Sequence, residues 1–106
     1  MNNEDKILQE MRRGTITLAV LTQLDEAQYG YSLIKALEKL DFEIGQDTLY
    51  PLLRRLEEQG LLKSDWKVDE NRPRRYYQIS EEGKRIRSIL VDQWNYQTKI
   101  MRRLIK

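Results

Sequence analysis

One helical face of leucines constrains the fold of this chain more than any other feature, and it consists of Leu49, Leu52, Leu53 and Leu56. The spacing i, i+3, i+4, i+7 predicts a helix with one apolar stripe. Asp47 or Thr48 is expected to cap its start. With Thr48 as the cap, Pro51 falls in the first turn, where its missing N–H removes no intrahelical bond. Gly60 is expected to end the helix in a left-handed conformation.

The polar side of this helix carries Tyr50 and Arg54, which lie four residues apart and therefore share a face. That face lies roughly 100 to 140 degrees from the leucine stripe. Arg55 follows and begins the basic half of the chain. Taken alone, the pair fits either a solvated surface or a binding surface.

Residues 61–79 have the pattern of a hairpin with a basic returning strand. Alternation places Tyr77 and Ile79 inward, and the polar segment 69–73 is expected to form the turn. Pro73 is expected to keep the strand pairing from extending. The returning strand has three arginines in four positions next to a tyrosine pair: Arg72, Arg74, Arg75, Tyr76 and Tyr77. We expect these arginines to cluster at or beside the tip.

A short helix with outward Tyr and Arg, beside a hairpin with a basic tip, is typical of domains that hold double-stranded DNA. Arg54 is expected to read a guanine edge, and the hairpin arginines to hold phosphates or enter a minor groove. A solvated tip that protects a sheet edge from aggregation would explain single basic residues. It does not explain three arginines next to two tyrosines.

The composition permits one domain and argues against catalysis. Charged residues make up 34% of the chain, and the net charge is only +2. The charges are unevenly distributed, however: residues 1–53 hold 5 basic and 9 acidic side chains, whereas residues 54–106 hold 14 basic and 8 acidic side chains. The basic half suits a single anion-facing side. The chain has no Cys and no His, which excludes thiol and histidine catalysis and Cys/His zinc sites. We therefore expect no enzyme, no cofactor and no metal. We also expect no membrane segment and a cytoplasmic location.

The preceding segments are predicted to be helical at residues 3–24 and 31–40, giving three helices before the hairpin. Residues 29–32 form the start of the second helix, where free N–H groups can hold a phosphate. Tyr31 fits either that role or core packing. The link at residues 42–46 leaves open a short extended pairing with the hairpin.

Ser80 is expected to cap a long last helix whose apolar residues recur near period 3.5. These are Ile86, Leu90, Trp94, Met101 and Leu104, with Gln97 at the same spacing. These apolar residues would stay exposed to solvent in a monomer, so the stripe predicts a homodimer. Ile7, Leu8 and Met11 are expected to pack with it. Residues 1–79 would then form the DNA-binding domain and residues 80–106 the dimerisation helix of one compact unit.

The order helix, helix, helix, hairpin, long helix is that of a mainly α (α+β) winged helix-turn-helix fold, in which the hairpin is a two-stranded wing. Three segments closely resemble the PadR family of transcriptional regulators: DTLYPLLRRLEEQGLL at 47–62, YGYSL at 29–33 and RRYYQISEEG at 74–83. The match covers about residues 14 to 84 in the right order and spacing. The single last helix resembles the short subfamily. The tip sequence at 70–73 departs from the Gly-rich tips often found in the family.

This resemblance implies a homodimeric repressor that binds a palindromic operator and is often released by a small molecule. It gives residues 48–56 the recognition-helix role and residues 72–77 the wing role. Trp94 is the candidate contact for a planar aromatic effector, and filling the dimer core is the alternative. Two other functions stay open: a winged-helix regulator of the MarR or ArsR type, and a protein-binding adaptor that does not bind DNA.

Overall fold

Four helices and a three-stranded antiparallel sheet make up the described part of the chain, residues 2–106 of a computed structural model. The helices are α1 (Asn3–Thr22), α2 (Gly30–Lys39), α3 (Gln46–Glu58) and α4 (Glu81–Ile105). The strands are β1 (Gln28–Tyr29), β2 (Leu62–Asp69) and β3 (Arg72–Ile79), in the order β1–β3–β2. The predicted winged helix-turn-helix is confirmed. Within residues 2–106, no helix has the length and apolar character needed to cross a bilayer.

The core lies where the end of α1, α2, α3 and the base of the hairpin meet. The leucine stripe of α3 is entirely buried, as its spacing predicted: Leu49, Leu52, Leu53 and Leu56. Val20, Leu21, Leu33 and Tyr77 contact the same cluster. Each fully buried Leu contributes roughly 1.5–3 kcal/mol relative to an exposed one. Burial of this stripe therefore fixes which side of α3 faces outward.

The start of α3 differs from the prediction. Gly45 is the N-cap and makes no side-chain capping bond, so Asp47 and Thr48 lie inside the helix. The first turn closes on the Gly45 carbonyl, which accepts from Thr48 N at 3.2 Å and Leu49 N at 2.9 Å. Pro51 consequently lies beyond the first turn, where its ring removes one intrahelical bond. The end was predicted correctly, because Gly60 follows the helix with φ of 80°.

The hairpin closes more tightly than expected. Its turn is the two residues Glu70 and Asn71, with φ of 52° and 63°, values that match a type I′ turn. The strands pair up to this turn, so Pro73 lies inside the ladder opposite Val68 and does not end it. In such a hairpin the pair beside the turn is hydrogen-bonded and the next pair is not. Pro73 occupies that next pair, where it needs no N–H toward β2.

The third strand is not the link at residues 42–46. Gln28 and Tyr29 pair with β3 instead, and Leu24 O accepts from Ile79 N at 2.9 Å. The link turns over the end of α2, where Asp41 adopts a φ of 64° and Phe42 N donates to Leu37 O at 2.9 Å. Residues 42–46 therefore complete the end of α2 and lead into α3, and they are not part of the sheet.

The long helix α4 begins against the core and then extends beyond it. Ser80 caps it by accepting from Gly83 N at 3.0 Å, as predicted. The Arg87 guanidinium donates to Leu21 O at 3.2 Å and to Asp25 at 2.9 Å, which ties α4 to the end of α1. α1 itself runs through Gly14 without a break. The two helices therefore pack together at one end and leave their other ends exposed.

Candidate nucleic-acid interface

The outward side of α3 presents Thr48, Arg54 and Arg55, and all three are exposed. Within residues 2–106, neither arginine forms an ion pair. The exposure of Arg54 agrees with the outward position expected from the leucine spacing. The free donors of the two arginines can bind an anion or a base edge without first breaking an internal contact.

Tyr50 is less exposed than its position on the polar face suggested. Its ring is half-buried and lies against the backbone of Gly30, so a Cβ placed at Gly30 would collide with it. This contact brings the first residue of α2 against the first half of α3. Tyr31 remains 51% exposed, with the Lys35 ammonium 5.4 Å from its ring centroid. Tyr31 is thus not part of the core.

The outer face of the hairpin holds a network around Asp69. Arg74 donates to Asp69 Oδ2 at 3.2 Å, and the Tyr76 hydroxyl donates to the same oxygen at 3.0 Å. The rings of Tyr76 and Tyr29 meet edge to face at 5.4 Å, and the Arg74 guanidinium lies 4.4 Å from the Tyr29 centroid. Burial of the phenol, assisted by the Asp69 carboxylate, raises the pKa of Tyr76.

The inner face holds a second network, which we call the wing clasp: Glu57, Ser64 and Arg75. Arg75 donates from Nη2 to Glu57 Oε1 at 2.9 Å and from Nε to Ser64 Oγ at 3.0 Å. The Ser64 hydroxyl donates to the other Glu57 oxygen, Oε2, at 2.6 Å. The guanidinium also lies 5.6 Å from the Tyr77 ring and 5.8 Å from the Trp66 ring.

The three hairpin arginines therefore do not form one cluster, contrary to the expectation. Adjacent residues of a strand point to opposite faces, so Arg74 lies on the outer face and Arg75 on the inner face. Each has a carboxylate partner, Asp69 or Glu57. Arg72, beside the turn, is exposed and has no ion pair within the described residues.

Sequence reasoning missed the groups that hold these arginines. The sequence pattern assigns no role to Glu57, and it gives Gly30 a place only in the start of the second helix. One signal was available: alternation places Ser64 and Arg75 on the inner face of the hairpin, next to the end of α3. The contact from Arg75 back to Glu57 spans 18 residues, so no local pattern shows it.

The predicted dimer residues lie on α1 and α4 and are mostly exposed. Ile7 and Leu8 are more than half exposed, and Met11 is 80% exposed. On α4, Trp94 and Met101 are about half exposed, and Leu90 is half-buried. A groove of about 470 Å³ between the two helices is lined by Met11, Leu90 and Trp94, among others. The structure thus brings these three predicted residues together, while Met101 lies nearer the end of α4.

Residues 17–88 match the family model described as the transcriptional regulator PadR-like family. The chain belongs to this family. A transcriptional regulator of Mycobacterium tuberculosis is 33% identical over 78 residues, which are 73% of this chain and 73% of that protein. The PadR resemblance stated from the sequence is confirmed, and the chain is a transcriptional regulator.

Solved structures of transcriptional regulators agree with the fold along nearly the whole chain. The crystal structure of a PadR family transcriptional regulator from Eggerthella lenta is 41% identical, with a TM-score of 0.90, and the match covers 96% of this chain and 91% of that one. A transcriptional regulator from Clostridium thermocellum is 30% identical, with a TM-score of 0.83, and the match covers 92% and 99%. The long α4 is thus shared with PadR relatives and lies largely beyond the part matched by the family model.

Proposed function

We propose that this PadR-like regulator is a homodimeric repressor that binds a palindromic operator in double-stranded DNA. The observation that carries the proposal is on α3, where one face is fully buried and the opposite face exposes Arg54 and Arg55, which form no ion pair with any residue from 2 to 106. A helix held in this way can present fixed donors to a major groove.

In the proposed complex α3 enters the major groove and Arg54 reads a guanine through its two parallel donors. Thr48 and Arg55 contact the flanking backbone. Tyr50, held against Gly30, contacts the duplex with the exposed edge of its ring. The start of α2 lies over a phosphate, with Tyr31 beside it, because helix N-termini favour anions.

The hairpin acts as the wing. Arg72 is the foremost cation and contacts a phosphate or the adjacent minor groove. Arg74 and Tyr76 lie farther back on the outer face, where the Asp69 network keeps them in place. The remaining donors of Arg74 can still reach the DNA backbone.

The proposed dimer forms by two-fold pairing through α1 and α4. The exposed apolar side chains of these helices, including Ile7, Leu8, Met11 and Met101, would be covered by the same residues of a second copy. A two-fold dimer would place two copies of α3 about one helical turn apart, roughly 10 base pairs.

Trp94 is the proposed effector contact. It lines the groove between α1 and α4 and is half exposed. Two indoles related by the dimer axis could sandwich a planar aromatic compound. Such a ligand would bias the angle between the α4 helices and hence the distance between the two copies of α3. In the alternative, Trp94 fills the dimer core and no ligand enters.

One experiment tests the proposal against the protein-binding adaptor. Duplexes bound by the purified protein are selected from a random pool, and the selected duplex is then titrated at two ionic strengths with heparin as competitor. We expect a palindromic sequence and affinity that falls steeply with salt. A protein that prefers heparin to every duplex would contradict DNA-specific binding.

A further inference from the structure

The wing leaves α3 through a short connection, and its base packs on the buried leucines of α3 through Tyr77 and Ile79. Residues 59–61 link the last residue of α3 to β2. The wing clasp joins all three elements, because Glu57 belongs to α3, Ser64 to β2 and Arg75 to β3. It is the polar contact that fastens both strands of the wing to the end of the proposed recognition helix.

Each of the three clasp residues is hydrogen-bonded to both of the others. Both Glu57 oxygens accept a bond, one from Arg75 and one from Ser64, and Arg75 bonds both partners. The rings of Trp66 and Tyr77 flank the guanidinium at 5.8 and 5.6 Å. The Arg75 and Glu57 side chains are 39% and 28% exposed, so solvent screens the charge attraction. The network fixes the orientation of the Arg75 side chain, because a planar guanidinium can form both of these hydrogen bonds in few orientations only.

We propose that Arg75 is a positioning residue, which sets the angle of the wing against α3 through Glu57 and Ser64 and does not itself bind a phosphate. The inference rests on the proposed function, in which α3 and the wing contact the same duplex. Its consequence is that the clasp fixes the distance between the major-groove contact and the wing contact within each half-site.

The first test uses the free protein and requires no DNA. Amide hydrogen exchange of residues 62–79 is measured for the parent, Glu57→Gln, Arg75→Lys and, as a charge-matched control, Glu58→Gln. Glu58 is the exposed neighbour of Glu57 and has no ion pair in the described residues. We expect the two clasp variants to speed exchange along the wing several-fold and the control to match the parent. Equal exchange in all four proteins would overturn the clasp.

The second test measures affinity for the selected duplex. Both Gln variants remove one negative charge, so a difference between them reports the clasp and not the net charge. We expect Glu57→Gln to bind about tenfold more weakly than Glu58→Gln. Arg75→Lys should lose about as much as Glu57→Gln, and the double variant no more than either, as for residues that act as one unit.

A phosphate contact at Arg75 gives the opposite results. Arg75→Lys would then bind nearly as well as the parent, because lysine also neutralises a phosphate. Glu57→Gln would bind more tightly, because it frees the arginine. Arg75→Ala would also lower the salt slope by about one unit. Any of these results would overturn the positioning role. A parent with no affinity for duplexes would overturn the proposed function and, with it, the consequence of the clasp for DNA binding; the exchange rates would still decide whether the clasp fixes the wing.

Discussion

The ring of Tyr50 lies against the backbone of Gly30, so that a side chain of α3 touches the main chain at the first residue of α2. This contact explains why a tyrosine on the polar side of α3 is half-buried.

Gly30→Ala is expected to destabilise the fold by about 1–3 kcal/mol, because the added methyl group forces the Tyr50 ring to move. Gly14→Ala is the control, since an added Cβ there meets nothing within 4 Å; it should stabilise α1 by roughly 0.5–1 kcal/mol. Urea denaturation measures both. If the two variants shift the midpoint equally and in the same direction, the close contact does not determine stability.

Arg54→Ala is expected to cost about 1–3 kcal/mol of affinity for the selected duplex and to relax the base preference at one position in each half-site. Repeating the selection with the variant measures that preference. Lys39→Ala, at the far end of α2, removes one charge away from the interface and should leave the selected sequence unchanged. A preference unaltered in Arg54→Ala would exclude base reading by this residue.

Arg72→Ala is expected to weaken binding to all duplexes and to lower the salt slope by about one unit. Arg74→Ala should change the slope less, because Asp69 already neutralises part of the Arg74 charge. Titrations over a range of salt concentrations compare the two variants. A larger slope change for Arg74 would show that its ion pair breaks on binding.

High pH is expected to destabilise the protein through Tyr76. Its pKa is raised in the folded state, so the folded chain holds the phenolic proton more tightly than the unfolded chain. The stabilisation is therefore complete below the ordinary tyrosine pKa of about 10 and is lost as the pH rises toward the folded value. Tyr76→Phe should show a smaller loss, measured as urea midpoints at about pH 9 and pH 11. The phenol of Tyr77, whose pKa burial also raises, accounts for part of what remains.

Met101→Lys is expected to shift the protein from dimer toward monomer, because it places a charge on the apolar face of α4. Asn95→Lys adds the same charge on the polar side of α4, where Asp92 and Lys99 also lie, and should leave the dimer intact. Sedimentation velocity at several concentrations measures the equilibrium. A parent that is monomeric throughout would exclude the proposed pairing.

The features that repeat along the chain could be predicted, and those that depend on distant partners could not. The leucine stripe of α3, the Gly60 stop and the Ser80 cap follow from local chemistry. The two-residue strand β1 is too short to show any periodicity. The Gly45 start of α3 was missed because Asp47 and Thr48 are good capping residues that the helix does not use.

The candidate site shows the same division. Exposure of Arg54 and Arg55 follows from the position of the leucines, since burying one side of a helix defines the other. The partners of Arg74 and Arg75 depend on the folded hairpin, whose register brings Asp69 to the outer face and Ser64 to the inner face. Arg74 and Arg75, which are neighbours in the sequence, therefore belong to two separate networks in the fold.

The tight turn at Glu70 and Asn71 has an energetic consequence for recognition. Because the strands stay paired up to these two residues, the tip has little backbone freedom left to lose when it meets a ligand. A long glycine-rich tip would have to become ordered at that moment. In this protein the tip loses most of its backbone conformational entropy during folding, so the position of the tip relative to the strands is fixed before the wing meets DNA.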